Sequence, residues 1–222
     1  MDGNGRWAAA RGLPVAEGHR EGARALRRTV EAAIELGIES LAVYAFSTEN
    51  WARPADEVEA IMALMDETID RELPDLARQG VRTRFFGRRD RVPAELGAKM
   101  ERLESETAHL DRLALWIAFD YGGRAELVEA VRKIFDDGVR RGVRHLDVSE
   151  ADIAAHLDAP ELPDPDLVIR TSGEQRLSNF LLWQSAYSEL VFDDTLWPDF
   201  GEEQLKAAVE EYARRGRRFG AR

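Results

Sequence analysis

The sequence predicts an α/β fold, a single domain (residues 1–222) with a mainly parallel central sheet flanked by helices. Three observations carry that expectation. Short apolar runs that suit strands alternate along the chain with longer segments of helical periodicity. The run at residues 41–46 is apolar without a polar alternate face, as a parallel strand covered on both sides requires. And 222 residues with no repeat, linker or composition shift suffice to bury about 70% of the unfolded surface around one core.

The chain opens on Asp2-Gly3-Asn4-Gly5-Arg6-Trp7. Gly3 and Gly5 permit positive φ and close approach of a ligand, Asn4 tolerates the left-handed region, and Arg6 presents a planar fork of donors. Such a turn suits a diphosphate. Asp2 fits there when a divalent cation lies between carboxylate and phosphate. The plainer reading, a tight turn and no more, also accounts for the composition. Residues 19–37 then read as a helix with Leu26, Val30, Ala33 and Ile34 on one face, stopped by Gly37. Residues 41–46 are a strand. Pro54 opens a long helix through Val58, Ile61, Met62, Met65, Ile69 and Leu76, which Pro74 should kink or break.

Next come a strand at 81–86, a helix at 94–107, a strand at 113–119, and a helix at 124–142 with Leu127, Val131, Ile134 and Phe135 inward. Residues 159–165 are a Pro-rich loop. Strand 166–169, helix 179–187, strand 189–192 and helix 202–214 complete five strands. Strand–helix alternation implies right-handed crossovers and parallel pairing.

Composition narrows the function. Net charge is −11, which argues against a nucleic-acid partner, although a local basic patch can still serve phosphates. No apolar run approaches a membrane span, and the polar, Gly-rich N-terminus is unlike a secretory leader. The absence of cysteine fits a reducing cytoplasm.

In open α/β sheets ligands sit beyond the carboxyl ends of strands, and the residues there are polar. Ser47-Thr48-Glu49-Asn50-Trp51-Ala52-Arg53-Pro54 follows one strand, and the segment from Arg170 through Gly173, Arg176 and Leu177 to Ser178 follows another. Arg170, Arg176 and Ser178 form an anion cluster separate in sequence from Asn4, Gly5, Arg6 and Arg53, so two phosphorylated ligands are expected. Pairing of these arginines with surface carboxylates is the plainer alternative; like charges gathered in one crevice favour an anion. His19 alone is ambiguous between a helix-start packing role and a ligand contact. His109, His145 and His156 have no motif around them and are assigned no role. Asp136-Asp137 reads as helix surface and Asp193-Asp194 as a turn, not as the aspartate-rich metal motifs of all-helical prenyl synthases.

With residues 1–7, 18–19, 44–54, 121–124, 166–190 and 196–200 matching in order, the chain resembles the cis-prenyltransferases, the undecaprenyl diphosphate synthase family of isoprenyl transferases. The resemblance implies successive condensation of isopentenyl diphosphate onto an allylic diphosphate such as farnesyl diphosphate. It implies a Z double bond at each step, a Mg²⁺ requirement, a hydrophobic product tunnel, a homodimer, and peripheral membrane contact for product release. It implies that Asp2 and Glu189 are the carboxylates near the metal. Gly3, Asn4, Gly5, Arg6, Trp7, His19 and Arg53 would serve the allylic diphosphate, and Arg170, Arg176, Leu177 and Ser178 the isopentenyl diphosphate. Asn50, within Ser47, Thr48, Glu49 and Trp51, would act in catalysis as an orienting amide, since an amide is a poor base. Arg218 and Gly220 would complete a neighbour's isopentenyl site.

Small Ala45 points to a long, undecaprenyl-range product, with Phe119 as a possible opposing bulk in the tunnel. A short-chain Z-prenyl synthase and a noncatalytic partner subunit are the alternatives; the latter lacks the aspartate motif that is intact here. Departures from the family pattern are Val15 for an Arg, Gln175 for a His, Phe119-Asp120 for an Ala-Asn pair, and the lack of a strand before Asp2, which would make a sixth.

Overall fold

The computed structural model describes residues 1–142 and 147–215, Leu73 by its backbone alone. In chain order the elements are α1 (Asn4–Ala10), α2 (Val15–Glu35), β1 (Ser40–Ser47), α3 (Ala55–Gln79), β2 (Val81–Phe86), α4 (Ala94–Thr107) and β3 (Leu113–Tyr121). Then follow α5 (Gly123–Arg140), α6 (Glu150–Ala155), β4 (Leu167–Arg170), β5 (Glu189–Phe192) and α7 (Glu202–Arg214), with short 3₁₀ turns at Thr48–Ala52 and Trp197–Asp199. Every strand pairing is parallel, and the strands divide between a β1-β3-β2 sheet and a β4-β5 sheet. The α/β class and the helical cover are as the alternation of patterns implies.

β3 is central and alternates cleanly over most of its length. Leu113, Leu115, Ile117 and Phe119 pack into one core with Val30 of α2, Met62 and Ile69 of α3, Met100 of α4 and Leu205 of α7. Trp116 and Ala118 pack into a second core with Phe86, Leu162 and Leu181. Burial on both faces is why the strand is apolar from Leu113 to Phe119.

Several expectations are corrected. The opening is no bare turn: α1 begins at Asn4, and α2 begins at Val15 behind Pro14, earlier than the apolar stripe suggests. Pro74 lies inside α3, which continues to Gln79. One lost hydrogen bond is outweighed there by tertiary packing of the helix's buried face, including Val58, Met62 and Ile69. Residues 179–187 form turns instead of a helix, because Asn179 and Leu181 take φ of 66° and 45°, with Ser178 before them at 49°.

On α5 the inward face is made by Glu126, Ala130, Ile134 and Gly138. Val128, Val131, Phe135 and Val139 are 53%, 58%, 59% and 61% exposed, so Val131 and Phe135 point outward. Close packing admits mostly small side chains beneath this helix, and the bulky apolar residues form a separate stripe.

Candidate active site

The carboxyl end of β4 meets the N-terminal segment. Asp2 is placed by its own backbone: its N–H donates to Thr171 Oγ1 at 3.2 Å, and its carbonyl accepts from Trp197 N–H at 2.9 Å. Gly3 follows with φ 97°, and a Cβ there would lie 2.8 Å from Leu196, so the turn is closed to larger residues. A Cβ at Gly18 would lie 2.1 Å from the Asn4 carbonyl, which is how α2 crosses so near the start of α1.

The Asp2 carboxylate accepts from Gly3 N–H at 2.6 Å and from Arg170 Nη2 at 2.8 Å, with Arg6 Nη2 3.7 Å away. Burial pulls its pKa up, but the Gly3 N–H, Arg170 and Arg6 outweigh it and hold the carboxyl below its ordinary value. Arg6 also donates to the Ser172 carbonyl at 3.2 Å and pairs with Glu174 at 3.3 Å. Glu174 in turn accepts from Arg176. The two anion clusters that look separate in sequence are therefore one connected array: Arg176, Glu174, Arg6, Asp2 and Arg170. Glu174 and Thr171 are members that the reading of basic residues passed over, and only their proximity to Arg6 and Asp2 gives them away.

His19 and Arg53 also come together, on either side of Glu57. Arg53 Nη1 donates to Glu57 Oε1 at 2.7 Å, while His19 Nε2 is 3.8 Å from the same oxygen. Burial chiefly, then the Arg53 charge, lowers the His19 pKa against the opposing pull of Glu57. Buried side-chain atoms without a hydrogen-bond partner gather here: Asn4 Oδ1, His19 Nε2, Arg170 Nε and Ser172 Oγ. Such atoms call for an explanation, and a polar ligand, an ion or water at this place would supply one.

Asn50 Oδ1 accepts from Ser47 N–H at 2.9 Å and so caps its own turn. Glu49 accepts from Thr48 Oγ1 at 3.1 Å and from Asn179 Nδ2 at 2.8 Å, and Ser47, Glu49, Ser178 and Asn179 line one recess. Asn179 also receives Arg124 N–H on Oδ1 at 2.8 Å and Gly123 N–H on its carbonyl at 2.7 Å, tying the segment after β4 to the start of α5. It too escaped sequence reasoning, since its part depends on a left-handed backbone that no motif announces.

Other candidates are placed differently. Trp7 donates its indole N–H to Asp199 at 2.7 Å and lies under the Arg11 guanidinium. Leu177 is half-buried, and its carbonyl accepts from Phe180 N–H. Glu189 stands at the start of β5, the opposite end of its sheet from Arg170, and pairs with Arg215 at 2.9 Å. Within this chain it is not brought to Asp2. Arg218 and Gly220 lie outside the described residues, as does His145. Val15, exposed at the start of α2, lies beside Gly5 and adds no charge.

Behind the polar mouth an apolar cleft, partly open to solvent, runs between α2, α3 and the larger sheet. Asn4 and His19 border it near the mouth; Leu26, Val30, Ala45, Ile61, Met65, Ile69, Phe85 and Leu103 line it. Phe119 does not line it and instead stacks on Phe46. Among the described residues, no helix is long and apolar enough to cross a membrane, and no group of three or more His, Asp or Glu side chains is placed to hold a metal.

The family described as "Putative undecaprenyl diphosphate synthase" matches residues 1–220. The chain is 52% identical over 221 residues to isoprenyl transferase 2 of Bradyrhizobium diazoefficiens, covering 99% of this chain and 87% of that one. It is 47% identical over 220 residues to the ditrans,polycis-undecaprenyl-diphosphate synthase ((2E,6E)-farnesyl-diphosphate specific) of Xanthomonas axonopodis pv. citri, covering 99% and 86%. Among solved structures, lavandulyl diphosphate synthase from Lavandula x intermedia, in complex with dimethylallyl diphosphate, superposes with a TM-score of 0.95 at 35% identity, over 99% of this chain and 95% of that one. With a polar cradle at the mouth of an apolar cleft and this likeness over nearly its whole length, the chain belongs to the undecaprenyl diphosphate synthase family of isoprenyl transferases.

Proposed function

We propose that this enzyme, a cis-prenyltransferase, condenses isopentenyl diphosphate onto farnesyl diphosphate and its elongated products, forming a Z double bond at each step and ending in the undecaprenyl range. One observation carries the reading: the charged array of Asp2, Arg6 and Arg170 adjoins Asn4, which with His19 borders an apolar cleft. That pairing suits an amphiphile with a diphosphate head and a growing hydrocarbon tail.

In this reading Gly3, Asn4, Gly5, Arg6, His19 and Arg53 hold the allylic diphosphate, with the free backbone N–H groups that open α1 facing its oxygens. Arg170, Arg176 and Ser178 hold the isopentenyl diphosphate. Asp2, anionic and with the unpaired Ser172 and Asn4 oxygens in the same cradle, fits a hard cation whose remaining ligands are phosphate and water oxygens. Bound Mg²⁺ would supply charge neutralisation for the departing diphosphate. Arg6 stabilises the same developing charge, and Asn50 orients the alkene that attacks the allylic carbon. The apolar wall keeps water from that carbon.

Assembly as a homodimer is supported by the exposed apolar stripe on α5, with Arg218 and Gly220 completing the neighbour's isopentenyl site. Release of a polyprenyl product calls for peripheral contact with a membrane surface. Incorporation of radiolabelled isopentenyl diphosphate with farnesyl diphosphate, followed by product chromatography, tests the reading. Absence of incorporation overturns it, and accumulation of only short Z-prenyl diphosphates replaces the long-chain product with the short-chain one.

A further inference from the structure

One residue of β3 has no part in the substrate sites as described. The β1–β3 register runs Tyr44↔Ala118, Phe46↔Phe119, Ser47↔Tyr121, which leaves Asp120 without a partner on β1. It is the extra residue of a bulge, held in the left-handed region at φ 50°. The alternation of the strand breaks there: Phe119 faces the core under α2 and α3, whereas Tyr121 faces the other core. Bulges beside active sites re-aim a side chain, and here the side chain is a carboxylate of 0% exposure.

Its partners come from two loops. Trp51 Nε1–H donates to Oδ1 at 2.8 Å. Arg91 grips the same carboxylate with both arms of its fork, Nε donating to Oδ2 at 3.0 Å and Nη2 to Oδ1. The Arg91 guanidinium also lies 5.1 Å from the Trp51 ring centroid, and the indole meets Phe46 edge-on at 5.2 Å. A fully buried carboxylate needs this matched cation and these donors to be tolerated. What it secures is specific: Trp51 sits in the turn Thr48–Ala52, between Asn50 and Arg53.

We propose that Asp120 and Arg91 form a latch that holds Trp51 and thereby fixes residues 47–53 in their substrate-ready geometry, which makes Asp120 a positioning residue for the condensation. This rests on the assignment of that segment to the allylic diphosphate. Loosening the latch shifts Asn50 and Arg53 relative to the reacting carbon, and misplacement of about 1 Å costs up to about a hundredfold in rate.

Asp120→Leu by itself strands the Arg91 charge and is expected to lower stability. The informative variant is Asp120→Leu with Arg91→Leu, which removes both charges together. It should keep a thermal midpoint close to that of the parent while kcat falls about tenfold or more and KM for isopentenyl diphosphate stays within about twofold. Trp51→Phe keeps the ring edge against Phe46 but loses the N–H; it should lower kcat comparably, and adding it to the double variant should cost nothing further. Parental kcat in the folded double variant, or losses that simply add, overturns the latch. Arg53→Ala is measured alongside. If it weakens the allylic substrate while the latch variants turn over normally, the latch alone fails; if it has no effect either, the assignment of the segment fails and the latch with it.

Discussion

Asp2 and Arg170 stand 168 positions apart in the chain and meet at 2.8 Å, carboxylate to guanidinium, where the end of β4 reaches the N-terminal segment. The contact joins the two halves of the charged array. It also leaves each partner with work to do: Arg170 Nε is buried without a hydrogen bond, and Asp2 keeps its negative charge.

Asp2→Ala and Arg170→Ala should therefore each lower kcat/KM by about 10²-fold or more, the usual cost of removing one preorganised electrostatic contact. Neither side chain belongs to a hydrophobic core, so circular dichroism and the cooperative thermal transition should persist. Near-parental turnover by either folded variant contradicts the assignment.

Ala45 lines the apolar cleft at the point where β1 skips a partner on β3. Ala45→Phe should fill space that the growing chain needs and shift the products toward shorter chains, with the first condensation retained. Chromatography of dephosphorylated products reads this directly, and an unaltered length distribution excludes Ala45 from the tunnel wall.

His19 predicts a pH dependence. Its folded-state pKa is lowered, so below the ordinary value of about 6.5 the unfolded chain binds a proton that the folded chain resists. Stability contributed by neutral His19 is present above that value and is lost as pH falls through the lowered folded-state pKa. The thermal midpoint of the parent should drop more steeply between neutral and mildly acidic pH than that of His19→Gln. Parallel curves for the two proteins would remove His19 as the cause.

The stripe Val128, Val131, Phe135 and Val139 predicts self-association through α5. Covering each side chain contributes about 1.5–3 kcal/mol, together of the same order as the roughly 4–15 kcal/mol lost on association. Replacing two of the four should suffice to undo it. Val131→Glu with Phe135→Glu should turn a dimer into a monomer by sedimentation, without loss of helix content; an unchanged mass moves the interface elsewhere.

From the sequence alone come the α/β class, the parallel pairing and the position of nearly every strand, because buried parallel strands must be apolar on both faces and the turns between them must not be. The candidate residues for phosphate are legible too, since arginine, serine and glycine stand at strand ends where α/β sheets bind ligands. What the tertiary structure decides is which of those groups meet. Glu174 joins Arg6 to Arg176, Asn179 ties the segment after β4 to α5, and Asp120 reaches Arg91 and Trp51 from a bulge, each through contacts between residues remote in sequence. It also decides which apolar stripe of α5 turns inward and that α3 passes through Pro74. Local periodicity and propensity are properties of neighbouring residues, whereas a left-handed residue, a buried ion pair or the choice between two helix faces is settled by the free energy of packing against segments far along the chain.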